Sequence, residues 1–373
     1  MIRKEWIIEY FDYEKGDVNE LLSLFNTEYG PVDPSKPEYF KWYCLDNPAG
    51  RAIVTTALDP DTSKLVGEWW LIPQRTKFPG GERVGSVGMN ALVAREYRGL
   101  GIINSLGNSP ENPILEQGVD FTMAFPNRHL NFVFKVSIKL NEWASAGLLG
   151  LYALPLDPEL FEHTRLRKYP FASRIIKTIS GLTWPLLFSP RKIKHPNAKI
   201  SIVEKTGFDD QFTLFWNKVK DKYPLWFVRD ASFLTWRYIE NPCRQYNILV
   251  AMKHEEMIGY LILRRGIIRK FPVGAIVDLV VEPTERGDLA AQLLVREAVM
   301  RFRKEKLSLS VCVMRPRAQE EKAIKHQGYR QIPKAISPQK VDMSIKTFSE
   351  DCPRELIYNV NNWYVTLGDF DIV

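Results

Sequence analysis

Apolar residues along this chain fall into two rhythms, and the two alternate. Short apolar runs bounded by polar turns recur at Leu65-Val66-Gly67-Glu68-Trp69-Trp70, Val87–Val93 and Phe121–Phe125, and again at Met257–Ile262, Ala275–Val281 and Ser308–Val313. Their length and their β-branched and aromatic content predict strands. Between the later runs, Leu289–Phe302 carries Leu289, Leu293, Leu294, Ala298 and Met300 at helical spacing, which predicts an amphipathic helix. The corresponding earlier stretch, Ile102–Gly107, is short and is followed by Asn108-Ser109-Pro110-Glu111-Asn112-Pro113. Proline is excluded from a helix interior, so Ser109-Pro110 predicts the cap and first position of a new helical turn.

The two sets of elements belong to one repeated unit. Tyr39-Phe40-Lys41-Trp42 leads to Leu45-Asp46-Asn47-Pro48, and Phe233-Leu234-Thr235-Trp236 leads to Ile239-Glu240-Asn241-Pro242, an offset of 194 between Trp42 and Trp236. Each copy continues with a Gly-containing strand, an apolar strand, an Arg-Gly turn (Arg98-Gly99; Arg286-Gly287, offset 188) and a further strand. Matches in the same order imply duplication. The order strand, strand, helix, strand, helix within each copy predicts an α+β class, with a mixed sheet flanked by helices. The expected division is 1–154, a linker 155–200, and 201–373.

Composition narrows the class. With 45% apolar and 25% charged residues, the chain reads as soluble and globular. No apolar run reaches membrane-spanning length and the N-terminus shows no signal peptide, so a cytoplasmic setting is expected. Cys44, Cys243, Cys312 and Cys352 are scattered and no His stands at ligand spacing, so neither a disulfide framework nor a metal site is expected. The net charge of +7 is local: 163–203 holds nine Lys and Arg and no acid, which leaves 42 of the 51 basic residues against 44 acidic ones elsewhere.

The chemistry-bearing stretch is Arg98-Gly99-Leu100-Gly101-Ile102, directly after the strand Val87–Val93. Glycines let a ligand approach the backbone, and the first free N–H groups of the following helix make a ready phosphate site. In position and in its Arg98 and Gly101 it resembles the pyrophosphate-binding loop of the GNAT (GCN5-related) acyltransferases, Arg/Gln-x-x-Gly-x-Gly/Ala, with Ile103 at the last small position. Phe125-Pro126-Asn127, Ala323–Tyr329, Arg229–Pro242 and Trp363–Asp369 extend the resemblance to tandem GNAT proteins associated with envelope polysaccharide assembly in bacteria and archaea. The resemblance implies two fused GNAT-like domains, acetyl-CoA as co-substrate, and a cofactor site at Leu92, Val93, Arg98, Gly99, Leu100, Gly101, Ile102 and Asn127. The second loop, Arg286-Gly287-Asp288-Leu289-Ala290, has Leu289 in place of the key glycine and an acid where phosphates would lie. The cofactor is therefore expected in the first copy.

Direct acyl transfer to an amine needs a base and an acid for the leaving thiolate. GNAT enzymes commonly take the acid from a Tyr after the Asn127-like position; here 128–137 contains none, and Phe134 stands where one is expected. Glu68 on its strand reads as a base or as a solvent-facing charge. Asn90, mid-strand beside the thioester slot, reads as a catalytic-site residue or as a satisfied buried amide. Asp278, its counterpart in the second copy, and His129 are weaker candidates. Trp42, Trp69, Trp70, Trp236 and Tyr238 could stack a sugar or nucleotide, or fill the core.

In the linker, Phe171, Ile175, Ile176, Ile179 and Leu182 share one helical face, followed by Trp184. A cationic amphipathic helix over 165–194 suits an anionic membrane surface as well as it suits a packed linker. The leading expectation is an acetyl-CoA-dependent N-acyltransferase acting on a small amine, such as an amino sugar of an envelope precursor. The alternatives are an aminoacyl-tRNA-dependent peptide-bridge transferase and a non-catalytic GNAT-fold binding protein.

Overall fold

The structure is a computed structural model, and it describes residues 5–109, 111–126, 143–157, 193, 199–268, 270–333, 337 and 340–370. Two mixed sheets carry it. The first runs β1 (Ile7–Tyr10), β2 (Ile53–Leu58), β3 (Leu65–Phe78), β4 (Gly81–Val93), β5 (Val119–Ala124), β15 (Asp342–Thr347), β6 (Ala144–Leu148), with β9 (Leu225–Phe227) on β3 and β16 (Trp363–Tyr364) on β9. The second runs β14 (Arg330–Gln331), β7 (Gly150–Pro155), β13 (Leu309–Met314), β12 (Phe271–Val281), β11 (Glu256–Ile268), β10 (Tyr246–Lys253), β8 (Ile200–Lys205). In each sheet one central pair is parallel, β4 with β5 and β12 with β13. The expected class, two mixed and largely antiparallel sheets with flanking helices, is what the chain adopts.

The strands are longer than the apolar runs suggested. β3 extends from Leu65 through Phe78, and its buried polar residues Gln74, Thr76 and Lys77 hide the strand signal; Thr76 donates to Gln74 O at 3.1 Å and Lys77 to Tyr223 O at 3.2 Å. Ile102–Gly107 (α2) is helical as expected, and the later amphipathic helix α4 spans Glu285–Lys304; α1 covers Val18–Tyr29 and α3 covers Asp210–Val219. The short turn after α2 begins at Asn112 with Pro113 near its start, not at Ser109. Ser109 is buried and its hydroxyl accepts from Tyr10 at 3.4 Å, so it is engaged away from the helix start.

The sheets exchange strands. β7 comes from the first half of the chain and pairs with β13; β15 comes from the second half and pairs with β5 and β6. A cut at residue 154 therefore does not separate the two sheets. A shared core lies between them, with Trp70, Ile72 and Val87 from one side and Ile248, Ile262 and Ala275 from the other. The outer face of the first sheet packs on α2 through Val66, Trp69, Ile102 and Leu106. The outer face of the second packs on α4 through Leu261, Leu279, Leu294 and Val295.

At the centre of the shared core, Trp42 and Trp236 stack with ring centroids 5.2 Å apart. Each indole N–H donates to the other's main-chain carbonyl, Trp42 Nε1 to Trp236 O at 2.7 Å and Trp236 Nε1 to Trp42 O at 2.9 Å. Beyond each tryptophan the chain turns in the same way: Asn47 Oδ1 accepts from Ala49 N at 2.9 Å and Asn241 Oδ1 accepts from Cys243 N at 3.0 Å. All five aromatic candidates, Trp42, Trp69, Trp70, Trp236 and Tyr238, are buried, so they fill core and offer no face to a sugar. Trp42→Ala and Trp236→Ala should each lower the unfolding free energy by about 3–5 kcal/mol in urea titration. The double variant should fall short of their sum by about 1–3 kcal/mol, because each change already orphans the other's donor.

Candidate functional site

The site begins where a strand loses its neighbour. β4 and β5 pair in parallel from Val84 and Val119 to Gly88 and Ala124, and there the pairing stops. β4 continues to Val93, and among the described residues no strand pairs with it on that side beyond Gly88. Its other edge stays on β3 through a bulge, with Leu92 opposite Glu68 and Val93 opposite Gly67. Asn90 sits in the bulge with φ +53°, a left-handed conformation that Asn tolerates better than most residues. The bulge re-aims β4 away from β5, and the amide Nδ2 of Asn90 is buried there without a partner among the described residues.

At the end of β4 the loop 94–101 leads into α2. Gly99 and Gly101 have φ +84° and +88°, and a Cβ at either would meet nothing within 4 Å. Both glycines are exposed, as is Leu100. Gly101 is the cap of α2 and supplies no side chain to its free donors. The N–H groups of Gly99, Leu100, Gly101, Ile102 and Ile103 find no acceptor among the described residues. Five consecutive open donors beside exposed glycines make a cradle for an anion such as a diphosphate.

The expected site residues do not all gather at the gap. The main chain of Leu92 and Val93 borders the gap, and Gly99, Leu100, Gly101 and Ile102 form the cradle. Arg98 stands in the loop, but its guanidinium turns back on the protein: Nε donates to Val93 O at 3.0 Å and Nη2 donates to Glu28. Asn127 lies outside the described residues, as do His129, Phe134 and the stretch 165–192. Glu68 is one strand back from the gap and fully buried, not solvent-facing. Oε2 accepts from Trp70 Nε1 at 3.0 Å and Oε1 has no partner among the described residues. Burial pushes its carboxyl up to about 8, against the lowering effect of the Trp70 hydrogen bond.

The second copy has the same opening and fills it. β12 and β13 part after Ile276 and Cys312. The segment Trp363–Phe370 occupies the gap: Met314 bridges Thr366, Thr366 Oγ1 donates to Asp278 Oδ1 at 3.1 Å, and Tyr364 donates to Leu279 O. Arg229 lies at the bottom, fully buried, with Nε donating to Asp278 at 3.1 Å and Nη2 to Asp369 at 2.8 Å. Asp278 is thus a structural partner of Arg229 and does not line an open pocket. Burial raises the Asp369 carboxyl, and the adjacent Arg229 charge opposes that rise.

The second loop is closed as well. Thr284 caps α4, accepting from Gly287 N at 3.2 Å on its hydroxyl and from Asp288 N at 2.9 Å on its carbonyl. A Cβ on Gly287 would stand 2.0 Å from Glu282 O, so this glycine serves contact with the protein's own backbone. Arg286 makes two bonds of 2.8 Å to Glu256 and further bonds to the buried Glu282.

Sequence reasoning missed two of these features. The filling of the second gap had a signal in the aromatic and polar alternation of Trp363–Asp369. The tie from Glu28 to the first loop had none, because an acid at the end of an amphipathic helix is ordinarily solvated. Among the described residues there is no metal-holding cluster, the four cysteines are free, and no helix is long and apolar enough to cross a membrane.

No protein-family model matches the chain, and no curated protein matches it either. Solved structures do. Saccharomyces cerevisiae N-myristoyltransferase with bound myristoyl-CoA aligns over 91% of this chain and 82% of its own, with TM-score 0.61 and 10% identity. A GCN5-related N-acetyltransferase from Anabaena variabilis aligns over 92% and 73%, with TM-score 0.58 and 12% identity. A probable N-acyltransferase from Enterococcus faecalis aligns over 92% and 73%, with TM-score 0.59 and 12% identity. The chain therefore shares the fold of these N-acyltransferase structures, two mixed sheets flanked by helices.

The buried carboxyl of Glu68 makes stability depend on pH. Below the ordinary value of 4.5 both folded and unfolded chains hold the proton; between 4.5 and about 8 only the folded chain does. Stability from this group therefore falls as pH rises through that window and is fully lost above it. Glu68→Gln should flatten the fall, with a gain over the unsubstituted protein of roughly 4 kcal/mol at pH 9 in chemical denaturation.

Proposed function

We propose that this protein is an acyl-CoA-dependent N-acyltransferase whose donor occupies the first gap. The observation that carries the reading is the asymmetry between the two units. One gap and its loop are closed by Trp363–Phe370, Thr284 and Glu282; the other leaves, among the described residues, an unpaired strand edge and five amides without an acceptor. The pantetheine arm would pair with the free edge of β4 and the diphosphate would lie on Gly99–Ile103, with Arg98 shaping the loop. Asn127 joins the site as a further proposed contact.

In the reaction, the acceptor amine attacks the thioester carbonyl, the C–N bond forms and the C–S bond breaks. The thiolate leaves and takes up a proton, and the amine gives one up to a base. Glu68 and Asn90 are the proposed polar groups, supported by the unpartnered Oε1 and Nδ2 near the gap. A carboxyl held near pH 8 could take a proton in the working range, provided the acceptor opens the cover over β3. Acetyl as the acyl group and an amino sugar of an envelope precursor as the acceptor are the finer proposals, resting on the sequence resemblance. So are the cytoplasmic setting and a membrane contact through 165–194.

The test is calorimetry with acetyl-CoA and with longer acyl-CoA thioesters. Binding at about micromolar affinity, or ~−8 kcal/mol, is expected for at least one chain length. Gly101→Asp should abolish it, since the left-handed backbone and the added charge both oppose a phosphate. Asp288→Ala in the second loop should leave the affinity unchanged. No binding of any thioester would leave the tRNA-dependent and non-catalytic readings.

A further inference from the structure

We propose that Glu28, at the C-terminal end of α1, is the positioning residue that holds the first loop in its ligand-accepting shape. The inference deepens the reading above and rests on it for the identity of the ligand, but not for the role of Glu28 in the loop.

The geometry is specific. The Glu28 side chain is only 7% exposed, although it lies at the end of a surface helix. Oε1 accepts the main-chain N–H of Arg95 at 2.8 Å and Oε2 accepts from the Arg98 guanidinium. Arg98 in turn closes on Val93 O at 3.0 Å. One carboxylate thus fixes both shoulders of the turn, and the end of β4 is tied into the same knot. On the far side, Trp6 Nε1 donates to Leu100 O at 3.3 Å and the Trp6 ring meets Tyr97 edge-on at 5.9 Å. Between these two anchors the glycine stretch Gly99–Gly101 is left with its donors outward.

The second loop has an equivalent tie of opposite sign. Lys218 on α3 stands 190 residues after Glu28 (218 − 28), between the offsets 188 and 194 of the two motifs. It donates to Glu282 at 2.8 Å and also to Glu256. In the first unit an acid on the helix holds a basic loop; in the second a base holds an acidic loop. The same mechanical connection therefore leaves one loop suited to an anion and the other unsuited to it. Charge-assisted bonds are the strong ones and fix direction as well as distance, which fits a positioning role.

Glu28→Ala removes both bonds, whereas Glu28→Gln keeps one neutral acceptor and the shape. The first readout needs no ligand. Amide exchange should accelerate at Arg95 and Tyr97 in both variants, more in the alanine variant, while the amide of Phe11, bonded to Val54 O outside the loop, stays protected as in the unsubstituted protein. The second readout is CoA affinity by calorimetry, expected to fall about tenfold in Glu28→Ala and less in Glu28→Gln, on the usual worth of a hydrogen bond to a charged group. Lys64→Ala, which breaks the exposed pair with Glu96 beside the same loop, should change neither readout. Exchange at Arg95 and Tyr97 equal to that of the unsubstituted protein in both variants overturns the proposal. So does accelerated exchange that extends equally to Phe11, which would mark general destabilisation. If the unsubstituted protein binds no CoA, the donor reading fails, and the exchange data alone decide the role of Glu28.

Discussion

A β-strand that parts from its neighbour leaves main-chain donors and acceptors that must be satisfied by something else, and this molecule contains two such strands. β4 leaves β5 at Gly88, and β12 leaves β13 at Ile276. Buried backbone groups without partners are costly. The second unit meets the demand internally, with Met314 bridging Thr366 and Tyr364 reaching Leu279. The first unit meets it with nothing among the described residues. The same constraint therefore yields a finished core in one place and, among the described residues, an unpaired strand edge in the other. Everything proposed about function follows from which of the two remains open.

Electrostatics reinforces that division. The closed gap encloses Arg229 between Asp278 and Asp369, and this buried set is tolerable only because every charge has an opposite one in contact. Removing the terminal segment would strand Arg229 beside a single acid. At the surface, the second loop binds its own arginine with Glu256 and Glu282, and both the charge and the geometry of an anion site are used up. The first loop keeps Arg98 occupied too and uses the Arg95 N–H in the same tie, yet the amides of Gly99–Ile103 find no acceptor among the described residues. Its amides stay available because the cap residue is Gly101, which has nothing to donate or accept beyond its own backbone.

Much of the architecture was legible in the amino-acid order. Strand runs such as Val87–Val93 and Ala275–Val281, and the helices Ile102–Gly107 and Leu289–Phe302, announce themselves because apolar periodicity reflects which face is buried. The glycine turn at Gly99 and Gly101 was visible too, since glycine where the backbone needs positive φ is a local requirement. Glu68 was visible only as a charge: its burial comes from α1 and the strands around it, and no local pattern encodes that. Strand exchange was hidden for the same reason. β7 and β15 look like ordinary strands of their own halves, and the partner of an edge is decided by tertiary packing, which the residues of the strand itself do not record. The Trp42 and Trp236 motifs showed up as matching words, with no sign that they touch.

The crossing of β7 and β15 between the sheets bears on how the molecule comes into being. Among the described residues β6 pairs with no strand but β15, and β15 comes near the end of the chain. The edge of β5 that carries β15 in the finished fold gains that partner only once residues 342–347 have been synthesised. Contacts that span so much sequence are slow to close. Each sheet is therefore completed only by residues from both halves of the chain.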